Sequence, residues 1–220
     1  MCGIMNGLAL YGNFIPYGGT FLIFTDYCKS SIRLSAIMKQ RVVYVMTHDS
    51  IGLGEDGPTH QPIEQLMACR AIPNLLVLRP SDANEAVVAS KLAFEQTELP
   101  SLILLTRQGL PVLDRSIYPS ANEFRKGAYI LSDYDSENSK LSIFASGSEV
   151  SLALDVKAAL KDQFNIRVVN FGCWELFDEQ NNDYRQNVLG PSSSLRVSIE
   201  AGITNGWEHY TGLNGLNVGI

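Results

Sequence analysis

The chain has 220 residues, of which 45% are hydrophobic and 18% charged, and its formal net charge at pH 7 is −6. These proportions are typical of globular proteins with one large or two small domains. Basic residues are scattered and outnumbered, which disfavours a nucleic-acid-binding surface, and no apolar run approaches the ~18 residues of a membrane span. The first residues also lack the basic segment that opens a signal peptide. We therefore expect no nucleic-acid partner and no membrane contact.

The cysteines have neither the spacing of a metal site nor that of a redox motif. Because free thiols persist in reducing compartments, their pattern predicts reduced cysteines in a cytoplasmic protein. The positions concerned are Cys2, Cys28, Cys69 and Cys173.

The first part of the chain alternates apolar runs with helical patterns. It begins inside an amphipathic helix that has no cap. Buried strands are predicted at residues 19–24, 41–47, 75–80 and 101–107, and helices at 28–39, 62–72 and 81–96. The last helix has a candidate N-cap in Ser81 or Asp82, with Glu85 placed to complete a capping box. Apolar strands that alternate with helices indicate a parallel sheet covered on both faces.

The pattern breaks near residue 111, where a polar stretch with two prolines and no clean period predicts a linker. Strand and helix patterns then resume and continue to an apolar strand at the end of the chain. We therefore predict an α/β protein with two successive parallel or mostly parallel sheet domains, both with helices on both faces and both incomplete. The expected units are residues 1–115, a linker at 116–126, and residues 127–220, truncated at its end.

Residues 47–62 (THDSIGLGEDGPTHQP) concentrate titratable groups on a glycine-rich loop after a predicted strand. In open α/β sheets, ligands bind on the loops at the carboxyl ends of the strands. We expect His48, Asp56 and His60 to point into one pocket, where imidazoles and a carboxylate suit hydroxyl recognition and proton transfer. A glycine-rich turn with local hydrogen bonds is the alternative. The spacing of these residues matches no compact metal motif.

Three further features accompany this loop. Phe21, Phe24 and Tyr27 are three residues apart, so they could line one side of a 3₁₀ or helical turn, either as core or as a cradle for a flat heterocycle. Arg107 ends a predicted strand at the same edge, either as a surface charge or as a bidentate phosphate ligand. The turn in residues 145–150 (ASGSEV) precedes a helix, which indicates serine capping or an anion site.

The stretch GEDGPTHQPIEQL (residues 54–66) resembles the signature of the transketolase family of thiamine-diphosphate enzymes. AIPNLLVLRPSDANE, TRQGLPVLD, WELFDEQ and EAGITNGWEHY are similar to transketolase as well, so the resemblance spans nearly the whole chain. It implies reversible transfer of a two-carbon ketol unit from a ketose phosphate to an aldose phosphate in the pentose phosphate pathway. It also implies a homodimeric full-length enzyme, with sugar phosphates as substrates and part of the pyrimidine-binding domain and most of the C-terminal domain in this chain.

The resemblance also assigns expected roles to residues. Phe21, Phe24 and Tyr27 would cradle the pyrimidine half of thiamine diphosphate. His48 and Arg107 would hold the substrate phosphate, and Asp56 and His60 would contact sugar hydroxyls. We expect no catalytic residue within this chain, since the family's glutamate would fall upstream of Met1. Mg²⁺ or Ca²⁺ would be bound by an N-terminal domain outside this chain, so we expect no metal ligands here.

The uncapped start and the apolar end lead us to expect a fragment that is inactive alone. Three interpretations stay open: a piece of a working transketolase, a stand-alone non-catalytic protein that binds a partner or dimerises, and a gene remnant.

Overall fold

The computed structural model describes residues 1–135, 139–191 and 193–220, and the strands in this part of the chain form two sheets. The first comprises β1 (Tyr17–Phe21), β2 (Val43–Thr47), β3 (Leu76–Leu78) and β4 (Ser101–Leu105). All its pairings are parallel, and the spatial order is β1-β2-β4-β3. The helices that follow or precede these strands are α1 (Cys2–Tyr11), α2 (Thr25–Ile37), α3 (Gln65–Arg70) and α4 (Ala83–Glu95).

The second sheet has the order β5-β7-β6-β8-β9 and is parallel except for the pairing of β5 with β7. Its strands are β5 (Tyr129–Ser132), β6 (Lys140–Ala145), β7 (Asn165–Asn170), β8 (Leu195–Ile199) and β9 (Leu216–Val218). Its helices are α5 (Glu149–Leu160), α6 (Trp174–Asp178), α7 (Asn182–Leu189) and α8 (Glu208–Thr211). The predicted α/β class with parallel or mostly parallel sheets is thus confirmed.

Each sheet buries both faces, as continuous apolar strands require. Along β2, Tyr44 and Met46 pack into a core with α1, α2 and α3, whereas Val43 packs into a second core with α4. In the second sheet, Ile143 faces α5 and Phe144 faces the aromatic cluster of α6 and α8. No described helix is both long and apolar enough to cross a membrane.

Two local details depart from the expected strands. Phe21 pairs with Thr47, the last residue of β2, so β1 ends there and residues Leu22–Phe24 form a 3₁₀ helix instead of the predicted end of a strand. Strand β5 was not predicted, because only four residues alternate between buried and half-buried positions.

The start of α4 confirms one of the two candidate caps. The Asp82 carboxylate accepts a hydrogen bond from the Glu85 amide at 2.9 Å. Glu85 in turn accepts bonds from the amide and hydroxyl of Ser81, both at 2.8 Å. Asp82 is therefore the N-cap, and the predicted capping box is shifted by one residue, because Glu85 bonds the amide of Ser81 and not that of Asp82.

Part of the predicted linker is packed against the first sheet. Residues Ala121–Lys126 form a 3₁₀ helix that contacts α4, and Phe124 is completely buried there.

Charged residues buried between the two sheets join them. The guanidinium of Arg70, at the end of α3, donates to both oxygens of Glu200 at 2.7 and 2.9 Å. Arg79, which follows β3, donates to Glu149 at 2.5 Å and to Asp49 at 2.8 Å. Trp207 donates its indole N–H to Glu200 at 2.9 Å. Losing one partner of such a buried pair typically costs about 3–5 kcal/mol, because the other charge is left uncompensated.

The pKa of Glu200 predicts how the free energy of unfolding depends on pH. Burial would raise the pKa of its carboxyl, but Arg70, Arg79 and the hydrogen bond from Ser146 outweigh burial and lower the pKa from 4.5 to about 2. The folded-state pKa lies below the ordinary value, so the stabilisation is complete above pH 4.5 and is lost as the pH falls towards 2. At roughly 1.4 kcal/mol per pKa unit, it is on the order of 3 kcal/mol.

We expect Glu200→Gln to lower the free energy of unfolding at neutral pH and to flatten its decline below pH 4.5. Urea unfolding measured across this pH range checks the expectation. Glu98→Gln, at an exposed glutamate, is the control and should follow the unmodified chain. Parallel pH profiles for the chain and Glu200→Gln would contradict the role of Glu200.

Candidate functional site

The carboxyl ends of three strands of the first sheet meet at one edge. Phe21 of β1 is in register with Thr47 of β2, and Thr47 is in register with Leu105 of β4. The segments that follow these residues therefore leave the sheet side by side. Such an edge is where open α/β sheets place their ligands.

An aromatic row extends from this edge. Phe21 ends β1, Phe24 closes the 3₁₀ helix, and Tyr27 lies in the first turn of α2. The ring centroids of Phe21 and Phe24 are 6.1 Å apart, and so are those of Phe24 and Tyr27. The three-residue spacing places these rings on one side of the turn. Tyr27 is 85% exposed, which is not the burial of an ordinary core residue.

Both predicted histidines of the glycine-rich loop contact this row. His48 stacks on Phe21 with ring centroids 3.6 Å apart and planes tilted by 24°. His60 meets Phe24 edge-on, with centroids 5.6 Å apart. The loop between them thus lies over the row.

The backbone of His48 is unusual. Its φ is 58°, in the left-handed region that residues with a side chain rarely adopt. One ring nitrogen, Nδ1, lies 2.8 Å from Oγ1 of Thr47. The next residue, Asp49, is buried and paired with Arg79. A conformation of this kind persists only where the surroundings hold it, and it is common at functional sites.

A groove of about 430 Å³ lies beside Phe24, Tyr27 and His60. Gln65 lines it, and its side-chain amide donates to both oxygens of Asp26 at 3.2 Å and to Glu64 at 3.1 Å. Neither Asp26 nor Gln65 was predicted from the sequence, although Asp26 lies between two residues of the aromatic row. The groove therefore has aromatic rings on one side and a bonded polar group at its base.

Of the predicted site residues, Phe24, Tyr27 and His60 line this groove, whereas Phe21, His48, Asp56 and Arg107 do not. Asp56 is exposed in the turn after the 3₁₀ helix Ile51–Leu53. Arg107 pairs with Glu55 at 3.4 Å, and these side chains are 45% and 85% exposed. An exposed pair of this kind contributes little stability, so Arg107 is free to exchange Glu55 for an anionic ligand.

The Ser-Gly-Ser turn of the second sheet differs from the predicted serine cap. Ser148 is the N-cap residue of α5 but makes no capping hydrogen bond, and its hydroxyl donates to Glu149 at 2.6 Å instead. Ser146 donates to Glu200 at 2.6 Å. The two hydroxyls therefore bind carboxylates of the chain itself.

The four cysteines are free thiols. Within residues 1–135, 139–191 and 193–220, no group of three or more His, Cys, Asp or Glu side chains is arranged to hold a metal ion.

Exposure of Tyr27 predicts that its ring does little for folding. We expect Tyr27→Ala to change the free energy of unfolding by no more than about 0.5 kcal/mol, as for other exposed side chains. Leu22→Ala, at a completely buried neighbour, should cost about 2–5 kcal/mol. Urea unfolding of both variants tests this contrast. A loss of similar size in both would make Tyr27 a core residue.

Two family models match the chain. Residues 1–112 match the pyrimidine-binding domain of transketolase, and residues 127–220 match the transketolase-like C-terminal domain. The transketolase of Aquifex aeolicus is 48% identical over 218 residues, which cover 99% of this chain and 32% of that protein.

Solved structures agree with these matches. The transketolase of Leishmania mexicana is 46% identical with a TM-score of 0.91, over 100% of this chain and 31% of that one. A transketolase from Pichia stipitis in complex with sedoheptulose-7-phosphate is 42% identical with a TM-score of 0.91, over 100% and 32% of the two chains. The chain spans about a third of the length of these relatives. On these matches, the chain belongs to the transketolase family.

Proposed function

We propose that this chain forms the pyrimidine-binding and C-terminal parts of a transketolase, residues 1–115 and 127–220, joined by residues 116–126. The reaction is the thiamine-diphosphate-dependent, reversible transfer of a two-carbon ketol unit from a ketose phosphate to an aldose phosphate, as in the pentose phosphate pathway. The observation that carries the proposal is the aromatic row of Phe21, Phe24 and Tyr27, with His48 and His60 packed on it, in a chain of this family.

The shape of the site fits the pyrimidine half of thiamine diphosphate. Tyr27 presents an exposed ring, and Phe24 lies beside a groove of about 430 Å³. Flat heterocycles stack favourably on such rings, and burying them removes apolar surface from water. When bound, the cofactor would supply the reactive carbon for transfer of the two-carbon unit. The aromatic row holds and orients the ring.

The polar residues around the row fit a sugar phosphate. His48 and Arg107 follow neighbouring strands and bind the phosphate, for which the planar fork of arginine is well suited. Asp56 and His60 bind sugar hydroxyls, since carboxylate and imidazole accept and donate hydrogen bonds near neutral pH. The sedoheptulose-7-phosphate complex of the Pichia stipitis enzyme supports this class of substrate.

Other elements of the proposal rest on the family. By analogy with the family, Mg²⁺ or Ca²⁺ would be held by residues outside this chain. Assembly as a homodimer is supported by exposed apolar side chains on α1, among them Ile4 (70% exposed) and Tyr11 (81%). The site of action is the cytoplasm.

The same exposed face supports one competing function. A non-catalytic protein that binds a partner or dimerises through α1 would also present such side chains. The two functions differ in whether thiamine diphosphate and sugar phosphates bind.

Calorimetry of thiamine diphosphate with Mg²⁺ separates them. We expect no turnover and weak binding by the chain alone, because it covers a third of its relatives' length. Binding and turnover should appear when the chain replaces the matching third of the Aquifex aeolicus enzyme, or is mixed with the rest of that enzyme. A folded chimera without binding or turnover would contradict the proposal, as would turnover by the chain alone.

In that chimera we expect His48→Ala and Arg107→Ala to raise KM for the sugar phosphate. Each loses a hydrogen bond to a charged group, worth about 1.5–3 kcal/mol, which is roughly tenfold or more in KM. Arg125→Ala is the matched control, because Arg125 also forms a partly exposed pair with a glutamate, away from the site. Unchanged KM in both site variants would remove these residues from phosphate binding.

A further inference from the structure

One buried side chain, Arg79, connects the second sheet to the residue that follows His48. Arg79 is completely buried, and its Nε donates to Asp49 at 2.8 Å. Its Nη1 donates to the carbonyl and hydroxyl of Ser146 at 3.0 and 2.9 Å and to Glu149 at 2.5 Å. One edge of the guanidinium therefore contacts the loop after β2, and the other contacts the turn that precedes α5.

The turn around Gly147 closes directly on this guanidinium. Gly147 has φ of 53°, and a Cβ added there would lie 2.7 Å from Nε of Arg79. The amide of Gly147 donates to the carbonyl of Arg79 at 3.3 Å, and the amide of Arg79 donates to the carbonyl of Gly172 at 2.8 Å. The second sheet thus holds both the backbone and the side chain of Arg79.

Asp49 connects Arg79 to His48, its neighbour in the chain. Asp49 is 2% exposed, so its carboxylate depends on Arg79 for compensation of its charge. Without its cation the buried carboxylate would be uncompensated, and a move of the Asp49 backbone towards solvent would shift the peptide bond that joins it to His48. His48 has the left-handed backbone that needs external support, and its ring stacks on Phe21.

We propose that the second sheet positions His48 through Arg79 and Asp49. Ser146, Gly147 and Glu149 place the guanidinium, the guanidinium places Asp49, and Asp49 keeps His48 in its left-handed conformation against Phe21. Arg79 and Asp49 are positioning residues, and the C-terminal unit is needed for the geometry of the site. The consequence for substrate binding rests on the proposed function; the effect on His48 does not.

The histidines of the chain provide a direct readout on the 220-residue protein. There are three, His48, His60 and His209, so their ring signals are separable by ¹H–¹³C NMR. His48 lies 3.6 Å from the ring of Phe21, and we expect its ring protons to be shifted upfield.

In Gly147→Ala the added Cβ would displace the guanidinium of Arg79, and no charge is removed. We expect the His48 signals to move downfield or broaden. Gly212→Ala is the matched control: Gly212 has φ of 77°, but a Cβ there would meet no atom within 4 Å. Gly212→Ala strains the backbone of the second unit as Gly147→Ala does, because both glycines have positive φ, but it should leave the His48 signals unmoved.

Arg79→Met should have a larger effect on His48 than Gly147→Ala. If the uncompensated charge of Asp49 prevents folding, the double variant Asp49→Asn/Arg79→Met removes both charges and should fold with His48 displaced. Glu85→Gln changes another buried contact between the two sheets, to Asn170, and should not affect His48. Unmoved His48 signals in folded Gly147→Ala and in the double variant would overturn the proposal. So would equal shifts in Gly147→Ala and Gly212→Ala.

A kinetic arm in the chimera separates this proposal from the proposed function. Gly147→Ala should raise KM for the sugar phosphate about tenfold, as for loss of one charged hydrogen bond, with a smaller change in kcat. If Gly147→Ala displaces the His48 signals but the chimera without this substitution is inactive, the positioning of His48 by the second sheet is supported and the proposed function is contradicted. If the chimera is active but Gly147→Ala leaves the His48 signals unmoved, only the positioning of His48 by the second sheet is contradicted.

Discussion

The guanidinium groups of Arg70 and Arg79, buried between the two sheets, are the interaction on which the rest of the structure depends. Arg70 ends α3 and Arg79 follows β3, and they meet Glu200 and Glu149 of the second unit. Arg70 also lies over the ring of Trp174, 4.2 Å from its centroid. Because a buried charge without its partner is costly, the two sheets cannot separate without exposing these groups to water. Correct pairing of these charges therefore favours the arrangement in which the two units are packed together.

The same network extends to the edge where the candidate site lies. Asp49 is paired with Arg79, and it directly follows His48. Parallel pairing of β1, β2 and β4 brings the aromatic row, the histidine loop and the segment of Arg107 to one edge. Strand pairing in the sheet thus brings these segments together, and the buried charges hold the loop that follows β2. Through Arg79, the C-terminal unit can therefore affect the chemistry proposed at the edge of the first sheet.

Sequence patterns predicted the elements whose signals are local. Continuous apolar runs marked the strands of the first sheet, and the Asp82 cap followed from residues three apart. β5 was missed because four alternating residues are too short a signal. Serine capping in the turn 145–150 was not found at Ser148, because its backbone is helical (φ −60°, ψ −27°) and not extended as in a capping residue. Asp26 and Gln65 were missed because 39 residues separate the two ends of their contact.

The sequence by itself determined the α/β class, the family, and the spacing that aligns Phe21, Phe24 and Tyr27, since each of these is written in neighbouring residues. Only the tertiary structure decided that His48 stacks on Phe21, that Arg107 pairs with Glu55, and that Arg79 joins Asp49 to Glu149. The physical reason is that each contact joins residues far apart in the chain, so it forms only where the fold brings the two side chains together. For Arg79 the partners are 30 and 70 residues away along the chain.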